Sequence, residues 1–326
     1  MKAVRFLRFG RASEVAELVD IAPPSAPGPN EVQFEVEVAP INPSDLLHFS
    51  GSYADRAPLP SFAGGGVLGR IVECGADVAN VRVDDRVILV NTHRSAWRER
   101  FNWPAAGLLP LPDGDPVALA LLAANPPTAL LMLENFCRLQ AGDWVIQNAA
   151  NSSVGTSLIQ IAAARGVRTV NVVRRTGLEA ELTALGADAV LVDGPDLPER
   201  VTLATGGQPV RLAIDAVAGD ATRQLAACVC PGGTVVNYGL LSGKPCEIDS
   251  ADVLFRDVAL RGFWYAAWRS RAREEEVVSL FSRLLELQRA GRLRVPLEAE
   301  YPIEQLNAAL AHAEREGRSG KVVLRW

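Results

Sequence analysis

The segment that follows the apolar run 144–147 has the residues of a phosphate-binding turn. Small and polar residues fill positions 148–155, and a stretch of helical spacing comes next. Small residues let the backbone approach a pyrophosphate, and the N-terminus of a helix supplies N–H donors to it. Only Gly155 remains of the three glycines of the usual dinucleotide motif, and Ser153 stands where the second is expected. The turn alone therefore leaves a dinucleotide site and an ordinary strand–turn–helix equally open.

A pair of arginines follows the next predicted strand, 169–173. Arg174 lies 19 positions after Gly155, and Arg175 comes directly after it. An NAD site places an acidic residue here to bind the ribose hydroxyls, whereas the 2′-phosphate of NADP needs cationic donors. Guanidinium groups match phosphate oxygens in both geometry and charge. The pair predicts a preference for NADPH, and the alternative is an arginine pair that is merely solvated on a surface loop.

The elements around these residues alternate as they do in a doubly wound sheet. Within about 117–262, short apolar runs alternate with stretches of helical spacing. The predicted strands are 144–147, 169–173, 189–192, 212–216 and 234–238. Strand–helix alternation at this rhythm is typical of a parallel sheet with helices on both faces.

Both ends of the chain are rich in predicted strands. Residues 32–38 alternate apolar and polar side chains, the period-two pattern of a half-buried strand, and 321–324 closes the chain with a similar strand. This arrangement predicts an α/β fold in which one β-rich domain is interrupted by another domain. The expected bounds are 1–117 with 267–326 for the β-rich domain and 118–266 for the inserted one.

Length and composition are those of a globular protein with two domains. The chain has 326 residues, of which 48% are hydrophobic and 22% charged, and a net charge of −5. It carries no basic stripe, so nucleic acid is not an expected partner. The most apolar stretch, 116–133, is interrupted by Asn125 and two prolines, so no membrane span is expected. An odd number of scattered cysteines and an N-terminus without a signal-peptide pattern predict a cytoplasmic location.

Five motifs carry a family resemblance. They are Ile-Asn-Pro-Ser-Asp at 41–45, Val-Ile-Gln-Asn-Ala-x-Asn-Ser at 145–152, Thr-Val-Asn-Val-Val-Arg at 169–174, Arg-Gly-Phe-Trp at 261–264 and Gly-Lys-Val-Val-Leu at 320–324. In these motifs the chain resembles mitochondrial-type trans-2-enoyl-CoA/ACP reductases. That family lies within the zinc-free, quinone-oxidoreductase-like medium-chain dehydrogenases/reductases. The resemblance covers essentially the whole chain. It implies a GroES-like β-rich catalytic domain interrupted by a Rossmann NADP-binding domain.

The resemblance also implies a set of site residues. The family's catalytic tyrosine follows the Asn-Pro-Ser-Asp segment in a Gly-x-Tyr context, which Tyr53 matches here. The implied cofactor contacts are Asn125; Asn151, Ser152, Ser153, Val154 and Gly155 in the pyrophosphate turn; Arg174, Arg175 and Thr176 at the 2′-phosphate; Tyr238, Gly239, Leu240 and Leu241; Phe263, Trp264 and Tyr265; and Lys321. The sequence departs from the family twice. Ser153 replaces a glycine, and Gly66 replaces a glutamate near the active cleft, which bears on the substrate more than on the cofactor.

No metal site is expected. In the superfamily pattern the first zinc-ligand position holds Asn42, the second holds Gly65, and the third falls near Ala124 and Asn125. These residues do not supply the cysteine, histidine and acidic ligands that zinc needs. The lobe of four closely spaced cysteines is absent, and the lone Cys-x-Cys at 228–230 has no partner pair.

Without a Lewis acid, the expected chemistry is hydride transfer to a conjugated carbonyl compound. NADPH would reduce the C2=C3 double bond of a 2-enoyl thioester, with hydride added at the β-carbon and charge developing on the carbonyl oxygen. That oxygen then needs a hydrogen-bond donor, and the α-carbon needs a proton. A tyrosine hydroxyl is protonated at neutral pH. Tyr53 is the candidate, and the alternative is an aromatic residue on the rim of a loop.

Two other functions stay open. A zinc-free NADPH:quinone oxidoreductase would not need Tyr53 as an acid, because a quinone accepts hydride without obligatory protonation of carbon. A non-catalytic NADPH-binding protein is conceivable because the acid at Gly66 is lost, although Tyr53 and Asn125 argue against it. The segment 257–263 is predicted to be an edge strand, which by resemblance pairs across a two-fold axis in a homodimer.

Overall fold

The computed structural model describes residues 1–54, 56–90 and 95–326. The chain divides into two compact units. The first unit consists of Met1–Ala124, Ala272–Phe281 and Val295–Trp326, and the second of Asn125–Arg271 and Ser282–Arg294. The domain bounds expected from the sequence stay a prediction, because compactness alone does not define a domain.

Strands and helices are numbered along the chain. The strands are β1 (Lys2–Phe6), β2 (Glu17–Asp20), β3 (Glu31–Pro40), β4 (Ser61–Phe62), β5 (Gly66–Cys74), β6 (Arg86–Val90), β7 (Arg100–Pro104), β8 (Trp144–Gln147), β9 (Arg168–Val173), β10 (Ala189–Val192), β11 (Val210–Asp215), β12 (Thr234–Asn237), β13 (Ala259–Gly262), β14 (Leu297–Pro302) and β15 (Lys321–Arg325). The helices are α1 (Ala12–Val15), α2 (Pro43–Ser50), α3 (Pro116–Ala120), α4 (Asn125–Asn135), α5 (Ser153–Ala164), α6 (Glu179–Ala184), α7 (Leu197–Thr205), α8 (Asp220–Cys228), α9 (Ser250–Arg256), α10 (Tyr265–Arg269), α11 (Glu274–Arg289) and α12 (Leu306–Ala313), with a 3-10 turn at Ile303–Gln305.

The first unit is built on two sheets. One has the strand order β2-β1-β4, and the other has the order β14-β15-β3-β5-β6, with β7 also paired to β3. The alternation predicted for 32–38 is confirmed, since Val32, Phe34, Val36 and Val38 are at most 2% exposed while Glu35 and Glu37 are half-buried. Val32, Phe34 and Val36 pack in one apolar core with residues of α12 such as Leu306 and Leu310. The pattern therefore places the core on one face of β3.

The second unit is a parallel sheet of order β10-β9-β8-β11-β12-β13. This is the strand order of a doubly wound Rossmann fold, whose order reverses between β8 and β11. Consecutive residues Val172 and Val173 of β9 belong to two different apolar clusters, one with α7 and α8 and the other with α5 and α6. Because successive side chains of a strand point to opposite faces, helices cover both faces of the sheet. The predicted doubly wound α/β fold is confirmed.

The apolar segment Pro116–Asn135 passes a test of length and hydropathy for a membrane span, with a mean hydropathy of 1.6. However, 78% of its most apolar window is buried inside the protein. The segment divides into α3 and α4, and α4 packs against α5. It therefore has the burial of core helices.

Candidate functional site

Four of the predicted cofactor segments follow strands of the second unit at their carboxyl ends. Residues 151–155 follow β8, 174–176 follow β9, 238–241 follow β12 and 263–265 follow β13. The carboxyl ends of parallel strands lie on the same edge of a sheet, where open α/β proteins bind their ligands. The structure therefore brings these four segments to one edge.

The turn after β8 is compact and leads directly into α5. Ser152 is the N-cap residue of α5, and its Oγ accepts a hydrogen bond of 3.1 Å from the N–H of Gly155. A Cβ on Gly155 would lie 2.5 Å from the carbonyl oxygen of Ala150, so only glycine fits. Ser153 and Val154 form the first turn of α5, where backbone N–H groups have no acceptor within the helix. Such a turn offers donors to an anion.

A buried carboxylate that the sequence patterns did not predict holds this edge together. Asp215 ends β11 and is 0% exposed. Its donors are Asn148 Nδ2 (2.7 Å), the N–H groups of Val217 (2.9 Å) and Ala218 (3.1 Å), Thr222 Oγ1 (2.6 Å) and Asn237 Nδ2 (3.1 Å). The carboxylate thus ties the ends of β8, β11 and β12 to the start of α8. The signal in the sequence was an Asp directly after an apolar run. A buried charge is rare unless it is paired, so an Asp buried at this position needs hydrogen-bond partners.

A second buried network fixes the turn to its neighbouring strands. The side chain of Gln147 donates to Asn171 Oδ1 at 2.8 Å and to the carbonyl oxygen of Gly155 at 3.0 Å. Asn171 in turn donates to Thr169 Oγ1 at 2.9 Å and to the carbonyl oxygen of Ala189 at 3.1 Å. Both amides are at most 1% exposed. Their hydrogen bonds offset the loss of water and hold β8, β9 and β10 in register.

Five more of the predicted residues at this edge are exposed. Arg174, Arg175 and Thr176 are exposed directly after β9, and Leu240 and Leu241 are 58% and 62% exposed. Side chains that project from this edge can contact a bound molecule.

Two tyrosine hydroxyls lie inside the protein at this edge. Burial raises the pKa of Tyr238 above its ordinary value, while the side chain of Ser152, in the turn after β8, acts to lower it. Burial also raises the pKa of Tyr265, whose hydroxyl has no hydrogen-bond partner among the residues that the structure describes. A buried polar atom is rarely left unpaired in a protein, so the Tyr265 hydroxyl suits a polar group of a ligand.

The residues before Tyr265 and the start of α4 complete the predicted set in the second unit. Phe263 packs edge-on against Phe136 with ring centroids 5.9 Å apart, and Trp264 is 42% exposed. Asn125 is the first residue of α4 and is half-buried.

Tyr53 lies in the first unit, just beyond the end of α2. Gly51 ends the helix in the left-handed conformation with φ of 72°, and a Cβ there would lie 2.8 Å from the ring of Phe9. The N–H groups of Ser52 and Tyr53 both donate to the carbonyl oxygen of Leu47, at 3.0 and 3.2 Å. The backbone of Tyr53 is therefore tied to α2, while its side chain is half-buried.

Lys321 lies in the first unit at the start of β15 and is 4% exposed. Its Nζ donates to Asn42 Oδ1 at 2.6 Å and to the carbonyl oxygen of Ile41 at 3.4 Å. Burial lowers the pKa of Lys321 to about 7, with Asp45 acting to raise it and Arg318 to lower it further. The structure thus places the amine of Lys321 against the start of α2, a contact that the resemblance did not imply.

The chain is similar to known proteins along nearly its whole length. A family described as Alcohol dehydrogenase GroES-like domain matches residues 28–113, and one described as Zinc-binding dehydrogenase matches residues 153–283. The mitochondrial enoyl-acyl carrier protein reductase of Bos taurus is 34% identical over 329 residues, which cover 98% of this chain and 88% of the relative. The chain belongs to this reductase family. The two family matches confirm the GroES-like and Rossmann organisation that the sequence predicted.

Two further known proteins are similar to this reductase. The mitochondrial enoyl-acyl carrier protein reductase of Arabidopsis thaliana is 34% identical, covering 99% of this chain and 88% of the relative. A solved structure from Bacillus thuringiensis, provisionally described as an NADPH:quinone reductase, has a TM-score of 0.91 at 29% identity and covers 100% of this chain and 98% of that one.

This reductase does not offer the ligands of the zinc that one family description names. The side chain of Asn42 is bonded to Lys321, and Gly65 contributes only its N–H, which donates to Asp45 at 2.9 Å. Within 1–54, 56–90 and 95–326, no group of three or more His, Cys, Asp or Glu side chains could hold a metal ion. These positions do not fit zinc. The absence of bound zinc stays a prediction that elemental analysis can test.

The family's acidic residue near the cleft has little room in this reductase. Gly66 begins β5, and a Cβ there would lie 3.2 Å from the carbonyl oxygen of Leu89 on β6. An added side chain would therefore press on the neighbouring strand.

Proposed function

We propose that this protein is an NADPH-dependent reductase that saturates the C2=C3 double bond of a 2-enoyl thioester. The observation that carries the proposal is its similarity to mitochondrial enoyl-acyl carrier protein reductases along nearly the whole chain, at 34% identity. The non-catalytic alternative has no such support.

The residues proposed to hold NADPH fit its chemistry. The turn 151–155 would bind the pyrophosphate through N–H groups such as those of Ser153 and Val154, and Arg174, Arg175 and Thr176 would bind the 2′-phosphate. Asn125, the segments 238–241 and 263–265 and, by resemblance, Lys321 would supply further contacts. The helix N-terminus at Ser153 and Val154 and the unpaired buried hydroxyl of Tyr265 support this fit.

Tyr53 is the proposed catalytic residue. When bound, NADPH supplies the hydride that adds to the β-carbon of the substrate. The hydroxyl of Tyr53 would donate a hydrogen bond to the thioester carbonyl oxygen, where negative charge develops, and would serve as the proton source for the α-carbon. The ties of its backbone to Leu47 support a fixed position for the residue.

Turnover of crotonyl-CoA with NADPH tests the proposal. Wild-type protein should reduce crotonyl-CoA, and Tyr53→Phe should lower this turnover by about 10²–10⁴ while NADPH binding is retained. The ring that remains in the variant keeps the loop packed, so a loss reports on the hydroxyl. Undiminished thioester reduction by Tyr53→Phe removes the residue from the catalytic role.

A zinc-free NADPH:quinone oxidoreductase is the second candidate. The 29% identity to the Bacillus thuringiensis protein favours it. This function predicts turnover with a simple quinone, no reduction of crotonyl-CoA, and little effect of Tyr53→Phe. Measuring both acceptors on the wild type and the variant therefore separates the two candidates.

The proposed assembly is a homodimer joined through β13. This strand lies at the edge of the parallel sheet, and all four of its residues are exposed. The preceding helix α9 exposes Leu254 and Phe255 by 73% and 84%. An open strand edge beside exposed apolar side chains favours a second copy as the partner.

Two coarser predictions accompany the function. We keep the cytoplasm as the proposed location, although the Bos taurus and Arabidopsis thaliana relatives are mitochondrial; fractionation of the source cells tests this. We also propose 118–266 as the NADP-binding domain, within 1–117 and 267–326 as the catalytic domain. Limited proteolysis, with and without NADPH, tests the bounds.

A further inference from the structure

Helix α2 carries Tyr53 just beyond one end and is held at its other end by Lys321. The helix has eight residues, Pro43–Ser50, with Asn42 as its N-cap residue. Lys321 Nζ lies 2.6 Å from the side-chain oxygen of that cap. The 279 positions between Lys321 and Asn42 make this a tertiary contact that joins β15 to α2.

The same end of α2 is tied a second time through Asp45. This side chain is 3% exposed and accepts hydrogen bonds from the N–H of Asn42 at 2.8 Å and from that of Gly65 at 2.9 Å. Near the other end, Phe49 is 0% exposed and its ring packs 4.9 Å from that of Phe6. Loss of the Lys321 contact would remove one of the holds on this end, and in a helix of eight residues a shift there would reach Tyr53.

Burying the amine of Lys321 is unfavourable unless its hydrogen bonds are satisfied. The acceptors that satisfy it are the side chain of Asn42 and the carbonyl oxygen of Ile41. A lysine amine donates whether it is charged or neutral, so these contacts persist on both sides of its pKa of about 7.

The segment that leads into Lys321 has its own support. Both oxygens of the Glu298 carboxylate are engaged: one accepts from the N–H groups of Ser319 and Gly320 at 2.7 and 3.0 Å, and the other bonds to His312 Nε2 at 2.8 Å. The opposite nitrogen of His312 lies 3.0 Å from the hydroxyl of Tyr301. The backbone just before Lys321 is therefore fixed by a chain of half-buried side chains.

We propose that Lys321 is a positioning residue that sets the place of Tyr53 by holding the start of α2 through the side chain of Asn42. This inference rests on the proposed role of Tyr53 in enoyl reduction. This role is separate from the contact with NADPH proposed above: the charged amine has three N–H donors, and Asn42 and Ile41 accept two of them.

The test combines Lys321→Met with Tyr53→Phe in the full chain. Lys321→Met keeps the length of the side chain but removes the donor. It should lower kcat for crotonyl-CoA by about 10–100-fold, the scale of a small misplacement of a catalytic group. The kcat is measured at saturating NADPH, because loss of the proposed contact with the cofactor raises its Kd. Adding Lys321→Met to Tyr53→Phe should then lower kcat by less than about a further twofold.

Asn42→Ser breaks the same contact from the other side, so the test does not depend on correct folding of Lys321→Met. Serine is a good N-cap residue, so α2 keeps its cap, but the shorter side chain does not reach the amine. It should show the same fall in kcat and the same non-additivity with Tyr53→Phe. Lys2→Met, at a half-exposed lysine of β1 that pairs with Asp20, is the matched control and should leave kcat unchanged.

The possible failures are distinct. A wild-type protein that does not reduce crotonyl-CoA overturns the proposed function. If the wild type does so and Tyr53→Phe is impaired, a kcat of Lys321→Met that returns to the wild-type value at saturating NADPH assigns the amine to the cofactor alone. Equal losses from Lys321→Met or Asn42→Ser with and without the Tyr53 hydroxyl show a general structural role. Either of these two results overturns the inference.

Discussion

At the scale of single residues, the choice of cofactor depends on two exposed guanidinium groups at the end of β9. Replacing Arg174 and Arg175 together with alanine should weaken NADPH binding but leave NADH binding nearly unchanged. A charge-assisted hydrogen bond to phosphate contributes about 1.5–3 kcal/mol, so the pair accounts for a preference of roughly 10²-fold or more. The measurement is the Kd of each cofactor by fluorescence titration.

Arg168, at the other end of the same strand, gives the matched control. It packs its guanidinium over the ring of Trp144 and pairs with Asp188, away from the carboxyl edge. Arg168→Ala should not change the ratio of the two Kd values. Equal affinity of the wild-type protein for NADPH and NADH would contradict the assignment of the pair.

Lys321 also predicts a pH dependence of stability. Its folded pKa of about 7 lies below the ordinary 10.5, so between these values the unfolded chain binds a proton that the folded chain does not. The free energy of unfolding should therefore rise with pH in this window, by at most about 1.4 kcal/mol per pH unit from this group. Below pH 7 the amine is charged in both states, and the loss of stability from burying that charge is complete. Urea unfolding at several pH values should show a steeper rise for the wild type than for Lys321→Met.

The exposed Lys244 provides the comparison for this slope. Because its side chain is in water before and after unfolding, Lys244→Met should differ from the wild type by an amount that does not depend on pH. A Lys321→Met variant whose unfolding free energy runs parallel to that of the wild type from pH 7 to 10 would show that the amine is not desolvated.

At the scale of elements, Asp215 joins the ends of three strands to one helix. Asp215→Asn replaces one acceptor oxygen with an amide donor, which must then face donors of the protein. One misplaced buried donor costs about 1–3 kcal/mol, so the free energy of unfolding should fall by at least that amount. The Kd for NADPH should rise as well, because Asp215 positions the loops at the carboxyl edge. Urea unfolding and cofactor titration measure the two effects.

Asp220 is the control carboxylate at the start of α8. Its side chain is 52% exposed and pairs with Arg223 on the surface. Exposed ion pairs contribute at most about 1 kcal/mol, so Asp220→Asn should be mild in both assays. If Asp215→Asn and Asp220→Asn changed the free energy of unfolding and the Kd for NADPH equally, the burial of Asp215 would have no effect of its own.

At the scale of the whole molecule, the homodimer should depend on the outward hydrogen-bonding groups of β13. The N–H groups of Ala259 and Phe263 donate inward, to the carbonyl oxygens of Gly233 just before β12 and of Asn237 at its end, at 3.0 and 2.9 Å. N–H groups alternate sides along a strand, so that of Leu260 points to the open edge. Leu260→Pro removes this donor and leaves the inward bonds of its neighbours. Light scattering should give the mass of two chains for the wild type and one for the variant.

Leu260→Ala keeps the N–H group and separates backbone pairing from loss of the side chain. It should remain a dimer at concentrations where Leu260→Pro is a monomer. A wild-type protein with the mass of one chain rules out the assembly, and a dimeric Leu260→Pro variant moves the interface away from β13.

Much of the fold and part of the candidate site follow from local patterns in the sequence. The strands and helices of the second unit are predictable because apolar runs and helical spacing are properties of neighbouring residues. Gly155 and the arginine pair are predictable because a turn and a strand end place them at known points of such a unit. Parallel pairing then brings their segments to one edge without further information.

Contacts between distant residues required the tertiary structure. Asp215 and Asn148 lie 67 positions apart, and nothing in the local pattern of either shows that the carboxylate is buried and bonded to the turn. Lys321 reads as the first residue of a strand, yet its environment is set by Asn42, 279 positions away. Burial, hydrogen-bond partners and pKa depend on which segments the folded chain packs together. The sequence thus determined the elements and the chemistry they carry, and the path of the chain decided which side chains hold that chemistry in place.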